Sequence, residues 1–593
     1  METILGIDLG TTNSAVSVIQ EGRPKVLRDA AGELVVPSVV GLDREGGLLV
    51  GQEARNQSVL APERTIRSIK RRMGEDLKIS MGEEPFSPQE ISSMILRRLK
   101  DRAAEALGRP VSKAVITVPA FFNEVQREAT REAGELAGLE VVRIINEPTA
   151  ASLMYEPSSE KSERLLIYDL GGGTLDVSIV QVEQGVVEVL ASHGDTQLGG
   201  DDFDQLLFDH LCDAFEREND TDPRSNPAAR SRLLQAAEEA KKRLSYEAFT
   251  TIAEEFVAEK DGKPLHLKME IERMEYEELI GPLLQKTLLS VDAAMDDAGL
   301  TPQQLDRVLL VGGSTRTPMV HHLLKEQLHD NLHSEIDPDL CVSLGAALQG
   351  GLIAGIDVGP VLVDITPHTL GIRCLGEIQG RLTDQCFSPI IVRNTPLPAS
   401  RSESYLATFI DQQKAHITVF QGENEDASFN DRVGEFYLEG LDEEAEQRSE
   451  IIVRFDLNLD GILTVTAIER GTGLEKRLRI DNTIMKFRTK DREEAMSKLA
   501  VVFGESSEVA AESEARAVAP DEAELADREA TVGEPDGLVS KVNRLIPRAS
   551  AEDAEEMQIL LGRFEQAAAS NDAEQAGRIR EQLDDLAFYL EDA

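Results

Sequence analysis

The chain is poor in positive charge: 62 Lys and Arg stand against 108 Asp and Glu, leaving 593 residues at −46. Nucleic acid and anionic membrane surfaces attract basic patches, so neither is expected as the main partner. Acidity of this kind also serves simply to keep a surface solvated. Long apolar runs are missing too, and Met1-Glu2-Thr3 leads into the first apolar stretch without a basic n-region. Neither a membrane span nor a signal peptide is therefore expected. Cysteine is scarce. Cys212, Cys341, Cys374 and Cys386 form no CxxC pair and no zinc-like spacing. A reduced cytoplasm is the simplest setting for such thiols. The length allows several domains, each able to bury a core.

What is present begins with Ile7-Asp8-Leu9-Gly10-Thr11-Thr12-Asn13. Apolar residues lead in (Ile4, Leu5, Ile7) and an alternating run follows (Ala15, Val16, Val18, Ile19), which predicts strand, tight turn, strand. The pattern returns in Leu165-Leu166-Ile167-Tyr168-Asp169-Leu170-Gly171-Gly172-Gly173-Thr174, followed by Val177, Ile179 and Val180. One copy reads most simply as a β-turn, because Asp, Gly and Thr favour turns anyway. Two copies suggest two similar lobes, each offering a phosphate-holding turn to a shared cleft. Glycine lets backbone N–H groups approach an anion, hydroxyls add donors, and acids hold a divalent cation through water.

From 1 to about 357 short apolar strands alternate with amphipathic helices, as in an α/β domain. Ser87-Pro88-Gln89-Glu90 combines an N-cap, Pro at N1 and Glu at N3, so a helix is predicted to begin there. Val115–Val118 reads as a buried strand stopped by Pro119. Val308–Val311 runs into Gly312-Gly313-Ser314, with Thr317 and Pro318 opening a helix; a Gly loop feeding a helix is a further anion-cradling pattern, weak alone. Residues 358–364 read as an interdomain linker. From 365 to 482 the pattern is all-β, with alternation at His416–Phe420, Ile451–Phe455 and Leu463–Ile468, predicting an antiparallel sandwich. Residues 483–593 are helical and acidic. A helix is predicted from Thr489 through Val502, and 505–536 reads as a mobile tether. Helical spacing then resumes from Leu538, Met557 and Ile579, predicting a small bundle or, less simply, a coiled coil to a partner.

Together these segments resemble the DnaK-type heat-shock chaperones, the seventy-kilodalton class, over nearly the whole length. The resemblance rests on GIDLGTTNS at 6–14, AVITVPAFFNEVQREAT at 114–130, RIINEPTAA at 143–151, YDLGGGTLDVS at 168–178, GDTQLGGDDFD at 194–204 and LVGGSTRTP at 310–318. The Phe387–Pro398 stretch and the Gln421–Asn424 turn look most like the HscC branch. Actin-like and sugar-kinase relatives share a two-lobed ATPase fold but lack the β-domain after 365, so fold likeness alone does not decide function. The implied architecture is a two-lobed α/β actin-like ATPase domain (1–357), the linker, a β-sandwich substrate-binding domain (365–482) and an α-helical lid.

The resemblance also assigns residues. Gly10, Thr11, Thr12, Asn13, Gly171, Gly172, Gly173 and Thr174 would clasp the β- and γ-phosphates of ATP. Asp8, Asp169 and Asp176 would hold hydrated Mg²⁺ and flanking K⁺. Lys70 and Glu147 would orient the attacking water, with Asp169 and Thr174 completing the catalytic set. In isolation Lys70 would read as a surface lysine beside Arg67, Arg71 and Arg72. Glu238, Lys241, Lys242 and Ser245, facing Gly313, Ser314 and Arg316, would form the adenosine pocket. Lys242 departs from the arginine usual there, and an ammonium stacks on a planar base less well than a guanidinium, which predicts weaker nucleotide binding. Pro119 and Arg127 match a switch relaying nucleotide state; Phe121 and Glu124 stand where Tyr and Asp are usual. Arg143, Asn146 and Asp364 match a J-domain co-chaperone surface, and Val361, Leu362 and Val363 the apolar linker core.

In the β-domain, Ile372, Tyr405, Ala415, Ile417 and Ile462 match positions lining a pocket for an apolar side chain, and Leu375 with Thr408 an arch over the peptide. Facing apolar β residues are otherwise ordinary core. The implied function is an ATP-dependent chaperone that grips exposed apolar peptide segments, working with a J-domain co-chaperone and with room for a nucleotide exchange factor. Two rival classes stand beside it: a regulatory ATPase with one dedicated partner, and a phosphotransferase on the same fold.

Overall fold

The computed structural model describes residues 2–155, 162–328, 332–333, 337–408, 412–441, 448–472, 474–479, 489–504 and Leu561. The predicted tether at 505–536 and the helices from Leu538 onward fall outside these, Leu561 apart.

Two six-stranded sheets repeat one plan. In the first, Glu140–Asn146, Lys113–Val118 and Ile4–Asp8 run parallel, and Ile4–Asp8 turns into the antiparallel Asn13–Gln20 and then Arg23–Val26. In the second, Leu332–His333, Arg307–Val311 and Glu163–Leu170 are parallel, and the last turns into Leu175–Glu183 and Val186–Asp195. Each Asp-Gly-Thr turn thus leaves the end of a sheet's central strand, the position that puts its backbone at a crevice. The first hairpin lies so close to the helix Cys341–Ile353 that a Cβ on Gly6 would sit 2.1 Å from the Ala347 nitrogen. Only glycine permits that approach.

Helix starts follow their local chemistry. Ser87 caps Pro88–Leu107: its hydroxyl accepts from the Glu90 N–H at 3.2 Å while the Glu90 carboxylate accepts from the Ser87 N–H at 2.6 Å. The buried face of this helix (Ile91, Met94, Ile95, Leu99) joins Leu5, Ile7 and Val16 in the core of the first lobe.

Two four-stranded antiparallel sheets form the sandwich: one from Leu370–Ile378, Arg381–Ile391, Lys414–Gln421 and Asp431–Glu439, the other from Ala399–Leu406, Glu450–Leu457, Leu463–Glu469 and Glu475–Arg479. Strand Glu450–Leu457 alternates faithfully, sending Ile451, Val453, Phe455 and Leu457 into the shared core.

The linker segment 358–364 carries a strand. Val361–Val363 forms the sixth strand of the second sheet, parallel to Val186–Glu188, with the Val361 N–H donating to the Gly185 carbonyl at 2.8 Å. The helix Thr489–Val502 seats Ala495 and Leu499 in the core of the first lobe, with the Lys498 ammonium 3.6 Å from the centre of the Phe86 ring and Arg492 paired with Glu135 at 2.9 Å.

Candidate functional site

Between the two hairpin turns lies a cavity of about 800 Å³. Asp8, Gly10, Thr11, Thr12, Asn13, Lys70, Glu147, Asp169, Gly171, Gly172 and Thr174 line it, together with Glu238, Lys241, Lys242, Ser245, Gly313, Ser314 and Arg316. Residues from six separate stretches of sequence therefore share one space. Gly173 and Asp176 do not line it. The two turns press on each other: a Cβ on Gly172 would fall 1.8 Å from the Thr12 hydroxyl oxygen. That hydroxyl is buried with no partner of its own.

Four acids gather at this point. Asp169 and Asp176 are directly opposite each other in the second hairpin, an unfavourable placement for two like charges. Burial, then the Glu147 carboxylate, pushes Asp8 and Asp176 up to about 7 and Asp169 well above the usual carboxylate range. Thr117 donates to Asp8 at 3.1 Å and the Phe121 N–H to Asp176 Oδ1 at 3.0 Å, but Asp176 Oδ2 is buried without a partner. An all-oxygen set short of positive charge suits a hard cation. Among the described residues no chelating cluster is ready-made, so the fit is to an ion held through its own waters.

Among the described residues, the cation inside this group is Lys70. It is buried, ion-paired to Glu147 and 5.8 Å from the centre of the Phe122 ring. Surface placement beside its arginines is thereby excluded. A 3₁₀ turn, Ile69–Arg72, aims it inward, entered through Ser68 in the left-handed region at φ 56°. Arg71, on the same turn, reaches the other lobe, donating from Nε to the Gly173 carbonyl at 3.0 Å and pairing with Asp202. Glu147 opens the helix Glu147–Leu153 directly after strand Glu140–Asn146, where the helix dipole favours an anion.

On the other lobe, Glu238 is 2% exposed and receives Lys242 at 2.6 Å, Arg67 at 2.6 Å and Arg55 at 2.8 Å. Burial would raise its pKa, yet the three cations outweigh burial and hold it at about 2. Lys241 bonds Asp204 at 2.8 Å and the Gly200 carbonyl at 3.0 Å. Ser314 donates to the Gly171 carbonyl at 2.8 Å, tying the third Gly loop to the second hairpin. Arg316 is held by Asp339 at 2.7 Å. Sequence reasoning did not single out Arg55, Arg71, Tyr246, Asp337 or Asp339, nor the Arg28–Val35 loop that also borders the cavity. Arg55 and Arg71 had only a basic residue type as a signal; Tyr246, an exposed ring on the cavity wall, had none.

A hydrogen-bonded path leaves the cavity toward the sandwich. Arg127 donates to the Ala120 and Phe122 carbonyls at 2.9 and 3.1 Å, bracing the loop after Pro119, and to Asn146 Oδ1 at 2.8 Å. Asn146 donates in turn to Asp364, whose pKa burial raises; Arg143 lies within electrostatic reach of the same carboxylate. Asp460 accepts from Arg131 at 2.5 Å and from the Ile144 N–H at 3.3 Å, and Arg393 pairs with Asp297 at 2.7 Å. Phe121 and Glu124 keep interdomain contacts despite their changed side chains. The Phe121 ring packs on His193 and His368, centroids 5.1 and 4.4 Å apart, and Glu124 is buried beside Gln421 and Leu463.

In the sandwich, Ile372, Ala415 and Ile417 share the core cluster, with Tyr405 packed against it and its hydroxyl 2.9 Å from Ser388. Ile462 is buried but outside that cluster. Leu375 and Thr408 are exposed.

The family model described as Hsp70 protein matches residues 4–81 and 76–588. The chain belongs to the Hsp70 family.

Proposed function

We propose that this chain hydrolyses ATP in the cavity between its lobes and uses the cycle to capture and release apolar peptide segments in its β-domain. Members of the family are ATP-dependent chaperones that bind ATP with Mg²⁺. The observation that carries the reading for this chain is the continuity from Glu147 through Asn146 to Asp364, which joins the cavity to the start of the sandwich.

ATP and its Mg²⁺ would supply the phosphoanhydride and most of the charge neutralisation. The chain supplies position, which phosphoryl transfer mainly needs. Gly10–Asn13 and Gly171–Thr174 cradle phosphate oxygens with backbone N–H groups and hydroxyls. Asp8 and Asp169 would hold the hydrated Mg²⁺ and a flanking K⁺ from the cavity wall, with Asp176 behind them, opposite Asp169 in the hairpin. Lys70 and Glu147 align a water and keep its environment dry. Glu238, Lys241, Lys242, Ser245, Gly313, Ser314 and Arg316 hold the nucleoside. The domains run 1–357, 358–364, 365–482 and 483–593. Ile372, Tyr405, Ala415, Ile417 and Ile462 take an apolar side chain, Leu375 and Thr408 close over it, and Arg143, Asn146 and Asp364 receive a J-domain partner.

Nucleotide and peptide are then linked ligands of two global states, so each changes the other's affinity. ATPase rate with and without a model apolar peptide, in the parent and in Lys70→Ala, tests this. Stimulation in the parent and loss of turnover in the variant are expected. No response to peptide or J-protein would defeat the coupling, and capture of a single client would favour a dedicated-partner ATPase instead.

A further inference from the structure

Cys374 and Cys386, distant in sequence spacing terms, are direct cross-strand partners in the antiparallel pair Leu370–Ile378 and Arg381–Ile391. Opposed residues in such a pair have Cα atoms about 4.5–5.5 Å apart, inside the range of about 4.4–6.8 Å that a disulfide spans. Both are partly exposed, whereas Cys212 and Cys341 are fully buried. The two thiols are within hydrogen-bonding reach of each other. Side chains two apart share a face, so the pair sits beside Ile372 and Ser388, next to the Tyr405 hydroxyl. The register breaks immediately after Cys374, leaving Leu375 in a bulge, and the strands continue to a tight turn at Gln379-Gly380.

We propose that Cys374 and Cys386 are an oxidisable dithiol: peroxide converts them to a disulfide that staples the hairpin carrying Leu375, and thiol reductants reopen it. Burial and the neighbouring thiol push Cys374 up to about 11 and disfavour its thiolate. The first attack is proposed for Cys386, its cross-strand partner. Its thiolate displaces hydroxide from hydrogen peroxide, giving a sulfenic acid, and the hydroxide takes up the thiol's proton to leave as water. The Cys374 sulfur then attacks the Cys386 sulfur; the S–O bond breaks and the departing hydroxide accepts the Cys374 proton, giving a second water. The two thiols lose two electrons together, and the peroxide gains them. A small thiol reverses this by exchange, leaving as its own disulfide. The consequence for peptide, slower exchange under a stiffened Leu375, rests on the peptide-binding reading above.

The test treats the full chain with hydrogen peroxide, alkylates free thiols, and maps disulfides by mass spectrometry, alongside hydrogen exchange over 375–385. Expected are a Cys374–Cys386 crosslink, exchange about tenfold slower in that segment, reversal by dithiothreitol, and loss of both effects in Cys386→Ser. The proposal is overturned if both thiols still alkylate, if oxidation stops at separate sulfinic acids, or if the crosslink leaves 375–385 unchanged. A labelled apolar peptide separates the two readings. Slower dissociation from the oxidised chain supports the consequence, and equal rates overturn it. Crosslinking and slowed exchange with no peptide bound in either redox state would sink the peptide-binding reading and leave the dithiol standing.

Discussion

Asn146 donates from Nδ2 to Asp364 Oδ2 at 3.0 Å, and the residue after Asn146 is Glu147, ion-paired with Lys70 in the cavity. One amide thus touches the start of the sandwich with its nitrogen and Arg127 with its oxygen. Replacing it by alanine removes a donor from a buried carboxylate, a loss of about 1.5–3 kcal/mol for a hydrogen bond to a charged group. Asn146→Ala is expected to weaken docking of the linker strand by tenfold or more, on the scale of about 1.4 kcal/mol per decade. Hydrogen exchange at the Val361 amide, now bonded to Gly185, should speed up accordingly, and peptide should no longer stimulate hydrolysis. Unchanged exchange would show that docking does not depend on this amide.

Lys70 is the cation paired with Glu147 among four buried acids, so its removal should act on stability as well as catalysis. Breaking a buried pair leaves an uncompensated charge and costs about 3–5 kcal/mol. Lys70→Ala is expected to lower single-turnover hydrolysis by about 10²-fold or more and to lower the melting temperature of the nucleotide-free protein. Mg²⁺ with nucleotide should restore much of that loss, because the acids then regain a counter-ion. Calorimetry with and without MgADP checks it: an equal drop in both would mean that no cation enters the cluster.

The adenosine side admits two opposite substitutions. Lys242 points its ammonium at Glu238 and is half exposed. Arginine there would offer a planar face, with a gain of about 0.5–1 kcal/mol for an exposed cation–π contact, so Lys242→Arg should tighten nucleotide binding by about two- to fivefold. Tyr246 presents its ring to the same cavity, and Tyr246→Ala should weaken binding. Titration calorimetry of the two variants decides both; no rise in affinity for Lys242→Arg would remove stacking as the reason for the expected weakness.

Much of this was readable in the residues. Strands showed because their alternation is local, the helix at Pro88 because Ser87 and Glu90 satisfy each other's backbone, and the cleft because the Asp-Gly-Thr turn occurs twice. What stayed hidden is made by tertiary approach. Asn146 meets Asp364 across 218 positions, and no period in the sequence connects them. Lys70 read alone as a surface lysine because burial is set by the turn around it. Val361–Val363 read as part of a linker, not as a strand, since a strand joining a sheet edge needs no alternation of its own. The thiol pair of the sandwich was invisible to a search for CxxC, because its spacing is set by hairpin register.

The pH response of docking follows from two buried groups of opposite sign. Burial, helped by Arg127 and opposed by the Phe121 carbonyl, Glu423 and Asp431, lowers His368 from 6.5 to about 4. Docking therefore expels a proton between these values, and this contribution weakens docking as pH falls through them. Burial, helped by Glu128 and opposed by Arg127 and the Leu463 N–H, raises Glu124 from 4.5 to about 7. Docking takes up a proton there, and this contribution strengthens docking as pH falls from 7 toward 4.5. Asp364, also raised by burial, has the same sign as Glu124. From about pH 6.5 to 5 the opposing protons nearly cancel, so the parent should dock with little pH dependence. Glu124→Gln exposes the histidine, and docking should weaken by up to about tenfold per pH unit on acidification. His368→Leu should do the reverse, tightening as pH falls. A tryptophan placed by Leu459→Trp, in a chain that has none, reports docking beside Asp460 by its fluorescence. Parallel pH profiles for the parent and both variants would show that neither group titrates with docking.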